Sequence, residues 1–241
     1  MDKRLGKLVE RLQAAFGEKL ESVVLYGSAA GGDHHAAFSD FNVLCALSEV
    51  NPRELAAGED IFRWWREQGS PSPLLLSVEE LTRSTDSFAI EFHDIKAQHV
   101  LLYGKDLISD LEVDGPNYRA QVEHELRAKF LRLRQKAGGM LSDSAMLRRL
   151  MADSLSTFCV LFRHALILAG EAAPLRKRET LQRAAARFGF DAAPFETLLD
   201  IREEKIKPRE ADAVKLFGPY LEGIRAVIVA VDRLESQEVD R

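Results

Sequence analysis

The chain has 241 residues, with 33 basic against 38 acidic side chains, a formal charge of −5 and 46% hydrophobic content. That balance is ample for packed cores and supplies no bulk field that would recruit DNA, RNA or an anionic membrane by default. Cys45 and Cys159 stand far apart in apolar surroundings, without zinc-site spacing, and read as two buried free thiols.

Leu5, Leu8, Val9, Leu12 and Phe16 recur at helical spacing, so the N-terminus reads as an amphipathic helix stopped by Gly17 rather than as a leader. No apolar stretch reaches the ~18 residues of a membrane span. A cytoplasmic protein with no membrane partner is the expectation. Residues 23–26 form a short buried strand ending at Gly27, and a second strand covers residues 41–47. Pro52 opens a helix bearing Leu55, Ile61, Phe62, Trp64 and Trp65; one indole should pack in the core and the other lie partly over the helix. Ser70-Pro71-Ser72-Pro73 interrupts the chain before strand-like residues 74–76, and Ser77 with Glu80 has capping-box spacing for another short helix. Residues 88–103 read as one or two further strands before Gly104.

Beyond Gly115-Pro116 the pattern becomes helical. Leu126, Phe130 and Leu133 share a stripe ended by Gly138-Gly139, and residues 144–169 carry a broad apolar face suited to the centre of a bundle. Shorter helices are expected over 178–188 and 193–204, and Pro208 precedes a last helix with Val214, Phe217, Leu221, Ile224, Val227, Ile228 and Val231. The switch of period predicts an α+β chain, an αβ domain over 1–112 and then an all-α helical bundle over 117–241.

The chemistry-bearing residues lie in the first part. A Gly27-Ser28 turn leaving a strand exposes backbone N–H groups and a hydroxyl, and glycine lets the chain approach a phosphate closely. Taken alone such a turn is a weak signal. Asp40 and Asn42 are two apart on the next strand and share one face, while Phe41 and Val43 point into the core. Two-metal phosphoryl chemistry needs several oxygen ligands at this spacing, one ion orienting a triphosphate and another lowering the pKa of an attacking hydroxyl.

Residues 23–47 resemble the signature of the DNA polymerase β-like nucleotidyltransferase superfamily, whose bacterial members commonly read G-S-x-A-R-G, then S-D-x-D and an aliphatic run. Gly27, Ser28, Ala30 and Gly32 match the first element, Ser39 and Asp40 the second, and Val43-Leu44 continue the strand. Gly31 stands where the arginine usually is, and Asn42 where the second metal-binding acid usually is. The likeness covers roughly residues 20–105; the helical remainder is similar in architecture to bundles that follow this fold in small bacterial antibiotic-modifying nucleotidyltransferases.

The resemblance implies a mixed sheet with flanking helices for the first domain, a nucleoside triphosphate as substrate and Mg²⁺ or Mn²⁺ as cofactor. Asp40 and a third carboxylate would be catalytic, Gly27, Ser28 and Asn42 would bind the nucleotide, and Asp40, Asn42 and the third acid would hold metal. That acid comes from a later strand in the superfamily. Glu91 is favoured by strand parity over residues 90–93, with Asp94 as the alternative if the strand bulges. An amide oxygen can ligate Mg²⁺, as in the protein-kinase catalytic loop, but it brings no charge and weakens support for a second ion. Three functions follow. One is metal-dependent transfer of a nucleoside monophosphate (NMP) from a triphosphate to a hydroxyl acceptor, impaired by Asn42. The second is a catalytically inactive nucleotide-binding regulatory or interaction protein. The third is an interaction protein that keeps the fold only as a scaffold. The acceptor, the base and self-association stay open.

Weaker signals have ordinary structural alternatives. Arg148, Arg149 and Arg163 are candidate substitutes for the missing arginine, although charges on a long helix are mostly solvated. His34-His35 read as idle loop residues, and Gly104-Lys105 is no P-loop. Arg176-Lys177-Arg178 is too short to argue for nucleic acid. Arg119 and His124 have the R-x4-H spacing of a family of helical ribonucleases that partner nucleotidyltransferase-fold proteins, a spacing that arises readily by chance.

Overall fold

The computed structural model describes residues 2–31, 40–113, 115 and 117–238, with residues 28 and 235–238 described by backbone alone. Gly32, His34, His35 and Ser39 lie outside the described residues. The chain divides into two compact units, Met1–Tyr118 and Arg119–Arg241.

In the first unit, Asp2 caps helix α1 (Lys3–Phe16) by accepting from the Arg4 amide at 2.7 Å, and the five apolar residues of its stripe are all buried. Strand β1 (Leu20–Tyr26) leads to β2 (Asn42–Leu47), helix α2 (Pro52–Glu67), β3 (Leu74–Ser77), α3 (Val78–Arg83), α4 (Ala89–Ala97) and β4 (His99–Gly104). The four strands form one mixed sheet in the order β3-β2-β1-β4. β1 runs antiparallel to both neighbours, and β2 is parallel to β3, a pairing that requires the crossover through α2. Both capping boxes form: Asn51 with Glu54 at the start of α2, and Ser77 with Glu80 at the start of α3.

Val23, Leu25, Phe41, Val43, Cys45 and Leu47 pack with the α1 stripe and with Ile61 and Trp65 of α2. The alternate residues Val24, Leu44 and Ala46 are buried as well, so the two central strands are covered on both faces and read as near-continuous apolar runs. Trp65 is fully buried, stacked on Phe41, while Trp64 is half-buried beneath the Arg11 guanidinium.

Residues 88–103 depart from the expectation of strands. Only His99–Gly104 pairs in the sheet; Ala89–Ala97 is helix α4. Ile90 and Phe92 alternate with Glu91 and His93, which mimics a strand, but burial falls at Ala89, Phe92 and Ile95, the spacing of a helix face. Four or five residues satisfy either period, and packing decided between them.

The second unit is helical. α5 (Tyr118–Ala137) begins on the last residue of the first unit and stops before Gly138-Gly139; α6 (Ser144–Leu168), α7 (Lys177–Phe188), α8 (Ala193–Arg202) and α9 (Ala213–Glu238) follow. α8 ends two residues before expectation, where Glu204 takes left-handed backbone at φ 57°. α6 packs against α7, α8 and α9. Its core is aromatic, with Phe195 placed 4.7 Å from Tyr220, 5.4 Å from Phe190 and 5.6 Å from Phe162 between ring centroids. By length and mean hydropathy α6 could cross a membrane, yet 56% of its apolar window is buried inside the protein, as befits a central core helix.

Candidate nucleotide site

β1 delivers the chain to a turn that only glycine accommodates without strain. Gly27 has φ +75°, and Gly27–Ala29 closes as a 3₁₀ turn with the Ala30 amide donating to the Gly27 carbonyl at 2.9 Å. Tyr26, the last residue of β1, is in register with Asn42 on one side and His99 on the other. Directly opposed residues share a face of the sheet, so Tyr26, Asn42 and His99 form a polar row beside the turn, opposite the cluster of Phe41 and Val43. A Cβ added to Gly27 would lie 3.4 Å from Asn42 Nδ2, which places the amide directly against the turn.

Phe41 holds this strand start in place. Its ring stacks on Trp65 at 6.1 Å, the Arg4 guanidinium lies 4.7 Å over it, and its amide donates to Ser70 Oγ at 3.3 Å. With Phe41 pinned inward, Asn42 is half-buried on the side of the turn, while Asp40, expected on the same strand, precedes it and is exposed. Burial pushes the Tyr26 phenol above its ordinary pKa. His99 Nδ1 donates to the Ile95 carbonyl at 3.1 Å, and Nε2 lies 3.3 Å from Asp106. Asp106 is held well below the usual carboxylate range, first by the Ser109 hydroxyl and also by the backbone amides of Ser109 and Ile108 and by His99.

No protein-family model and no curated protein sequence matches the chain. Among solved structures, spectinomycin adenyltransferase from Enterococcus faecialis, determined with ATP and spectinomycin, superposes with a TM-score of 0.59 at 14% identity, covering 92% of this chain and 98% of that one. The chain has the DNA polymerase β-like nucleotidyltransferase fold. Two toxin–antitoxin structures overlap less, each with a TM-score of 0.30. One, with AMP-PNP, is 15% identical over 42% of this chain and 73% of that chain. The other, a tri-AMPylated Shewanella oneidensis HEPN toxin with MNT antitoxin, is 13% identical over 58% and 94%.

Among the described residues the third acid expected from a later strand is not found on one. Glu91 is not on a strand: it occupies the exposed first turn of α4, so the parity that favoured it does not exist. Asp94 is half-buried on the same helix, one turn before Gln98. Neither later strand, Leu74–Ser77 nor His99–Gly104, contains a carboxylate. The segment leading into β3 contributes Ser70 and Ser72, hydroxyls rather than acids. Among the described residues no three His, Cys, Asp or Glu side chains converge. Asp40 and Asn42 offer one anionic and one amide oxygen, a set that fits a single divalent ion carried by a triphosphate and does not fit a pair of ions.

The other candidates have structural roles. Arg148 donates to the Ala211 carbonyl at 2.7 Å, Arg149 is exposed near Asp153, and Arg163 is buried in the helical unit. Arg119 pairs with Glu123 at 2.7 Å; His124, five residues on, points about 140° around α5 from it and is exposed. Arg178 is engaged by Asp200 and Glu203. Cys45 and Cys159 are buried free thiols whose pKa burial pushes up to about 12, which makes them inert. Tyr26 and His99 carry no local signal in the sequence, because only the strand register brings them to the turn, and Gln98 reaches it from the end of α4.

Proposed function

We propose that this protein binds a nucleoside triphosphate with Mg²⁺ or Mn²⁺ at Gly27, Ser28, Asp40 and Asn42, and moves the NMP to a hydroxyl acceptor, releasing pyrophosphate, at a rate held down by its reduced acid set. The observation that carries this reading is the apposition of the Gly27 turn to the start of β2, where Asn42 touches the turn and Asp40, two residues earlier, stands exposed. Backbone N–H groups of the turn face phosphate oxygens, Asp40 supplies the anionic ligand, and Asn42 orients without adding charge. The ion, when bound, neutralises phosphate charge. The acceptor is a hydroxyl on a small molecule or a protein.

A second reading, nucleotide binding without turnover in a regulatory or interaction role, is favoured by the absence of a carboxylate from both β3 and β4. Calorimetry with ATP, CTP, GTP and UTP, paired with an assay of pyrophosphate release, separates the two. Binding should be metal-dependent, with the dependence abolished in Asp40→Ala, and Asn42→Asp should tighten Mn²⁺ binding and raise release. Binding with no release in either the wild type or Asn42→Asp selects the second reading. Absence of binding for all four nucleotides overturns both.

A further inference from the structure

We propose that Gln98 supplies the phosphate-binding donor that the turn lacks at residue 31, its carboxamide filling the space a side chain there would occupy. A Cβ built on Gly31 would collide with Gln98 Nε2 and Cδ and would lie 3.1 Å from Oε1. A side chain at residue 31 would have to displace the flexible end of Gln98, so the glycine is what leaves the carboxamide in that place.

Gln98 is fixed on both sides. Its backbone amide donates to the Asp94 and Ile95 carbonyls at 3.1 and 3.3 Å, closing α4. The next residue, His99, is held in β4 opposite Tyr26, with its ring bonded to the Ile95 carbonyl and Asp106. The side chain is half-buried, and its carboxamide hydrogen-bonds no described residue, so its N–H donors are available to a ligand. Asn42 reaches the same turn from the β2 side, 3.4 Å from the Cβ position of Gly27. The turn thus carries one carboxamide on each flank. A carboxamide offers two N–H donors to phosphate oxygens without adding charge, in place of the charged fork of an arginine.

The proposal rests on the nucleotide-binding reading above. Its test compares Gln98→Ala, Gly31→Ala, the double variant and Gln98→Glu in the full chain. Binding of the four magnesium nucleotides and of inorganic tripolyphosphate is read by calorimetry, alongside the melting temperature of the unliganded protein. Gln98→Ala and Gly31→Ala should each weaken binding about tenfold, the scale of one hydrogen bond to a charged group. The double variant should bind no more weakly than either single one, because both remove the same carboxamide from the same place. Gln98→Glu, nearly isosteric, should bind more weakly still, with a loss that shrinks as salt is added, while the unliganded melting temperature stays near wild type. Wild-type affinity in Gln98→Ala and Gln98→Glu, or additive losses in the double variant, overturns the role of Gln98 while leaving nucleotide binding intact. A wild type that binds neither the nucleotides nor tripolyphosphate overturns both.

Discussion

Asn42 lies between two side chains committed to the core, and that commitment aims its amide at the Gly27 turn. Phe41→Ala should therefore do two things: destabilise the fold by about 3–5 kcal/mol, as removal of a buried aromatic does, and weaken nucleotide binding by loosening the start of β2. Urea unfolding and calorimetry on the same variant check the pair, and unchanged affinity in a folded variant would detach the strand start from the site. At Gly27, alanine meets a positive φ and crowds the Asn42 amide. Gly27→Ala should cost about 1 kcal/mol or more in stability and lower nucleotide affinity at least tenfold. Asp106 gives a pH signature. Its folded carboxyl is held below its unfolded value, so its contribution is complete above the unfolded pKa of about 3.9 and is lost as pH falls below it. Asp106→Asn should flatten the acid limb of a melting-temperature profile below about pH 4, and a profile that keeps its wild-type slope would assign that limb to other groups.

Among the elements, those that sequence described well had a boundary signal and a periodicity in agreement. Asn51, Pro52 and Glu54 start α2 with a formed capping box, and Asn51→Ala should cost about 1 kcal/mol, read by chemical denaturation. Residues 88–97 had no side-chain cap and a run short enough to fit two periods, so the local pattern favoured the wrong one. The strand parity that favours Glu91 as the third acid falls with it. α9 shows the converse, a local preference overruled by packing. A Cβ at Gly223 would sit 2.6 Å from the ring of Phe195, which is fully buried among aromatic neighbours. Gly223→Ala, favourable by helix propensity, should instead destabilise by roughly 1–3 kcal/mol through overpacking. A rise in melting temperature would show that the aromatic cluster can yield.

For the whole molecule, each unit has its own apolar core: the first between the sheet and α1 with α2, the second around α6. A chain beginning at residue 117 should then melt cooperatively by circular dichroism, and a broad, non-cooperative transition would show that the helical unit depends on the first. Residue type and spacing by themselves determined the Gly27-Ser28 turn, the alternation that puts Asn42 on the face opposite Phe41 and Val43, and the change from mixed to helical pattern after Gly115. These are local consequences of backbone geometry and burial period. The tertiary structure alone decided that Tyr26, Asn42 and His99 share a row, that Gln98 takes the place of a side chain at residue 31, and that neither β3 nor β4 brings a carboxylate to the turn. Those facts depend on strand register and on helix packing between segments distant in the chain, where no local preference acts.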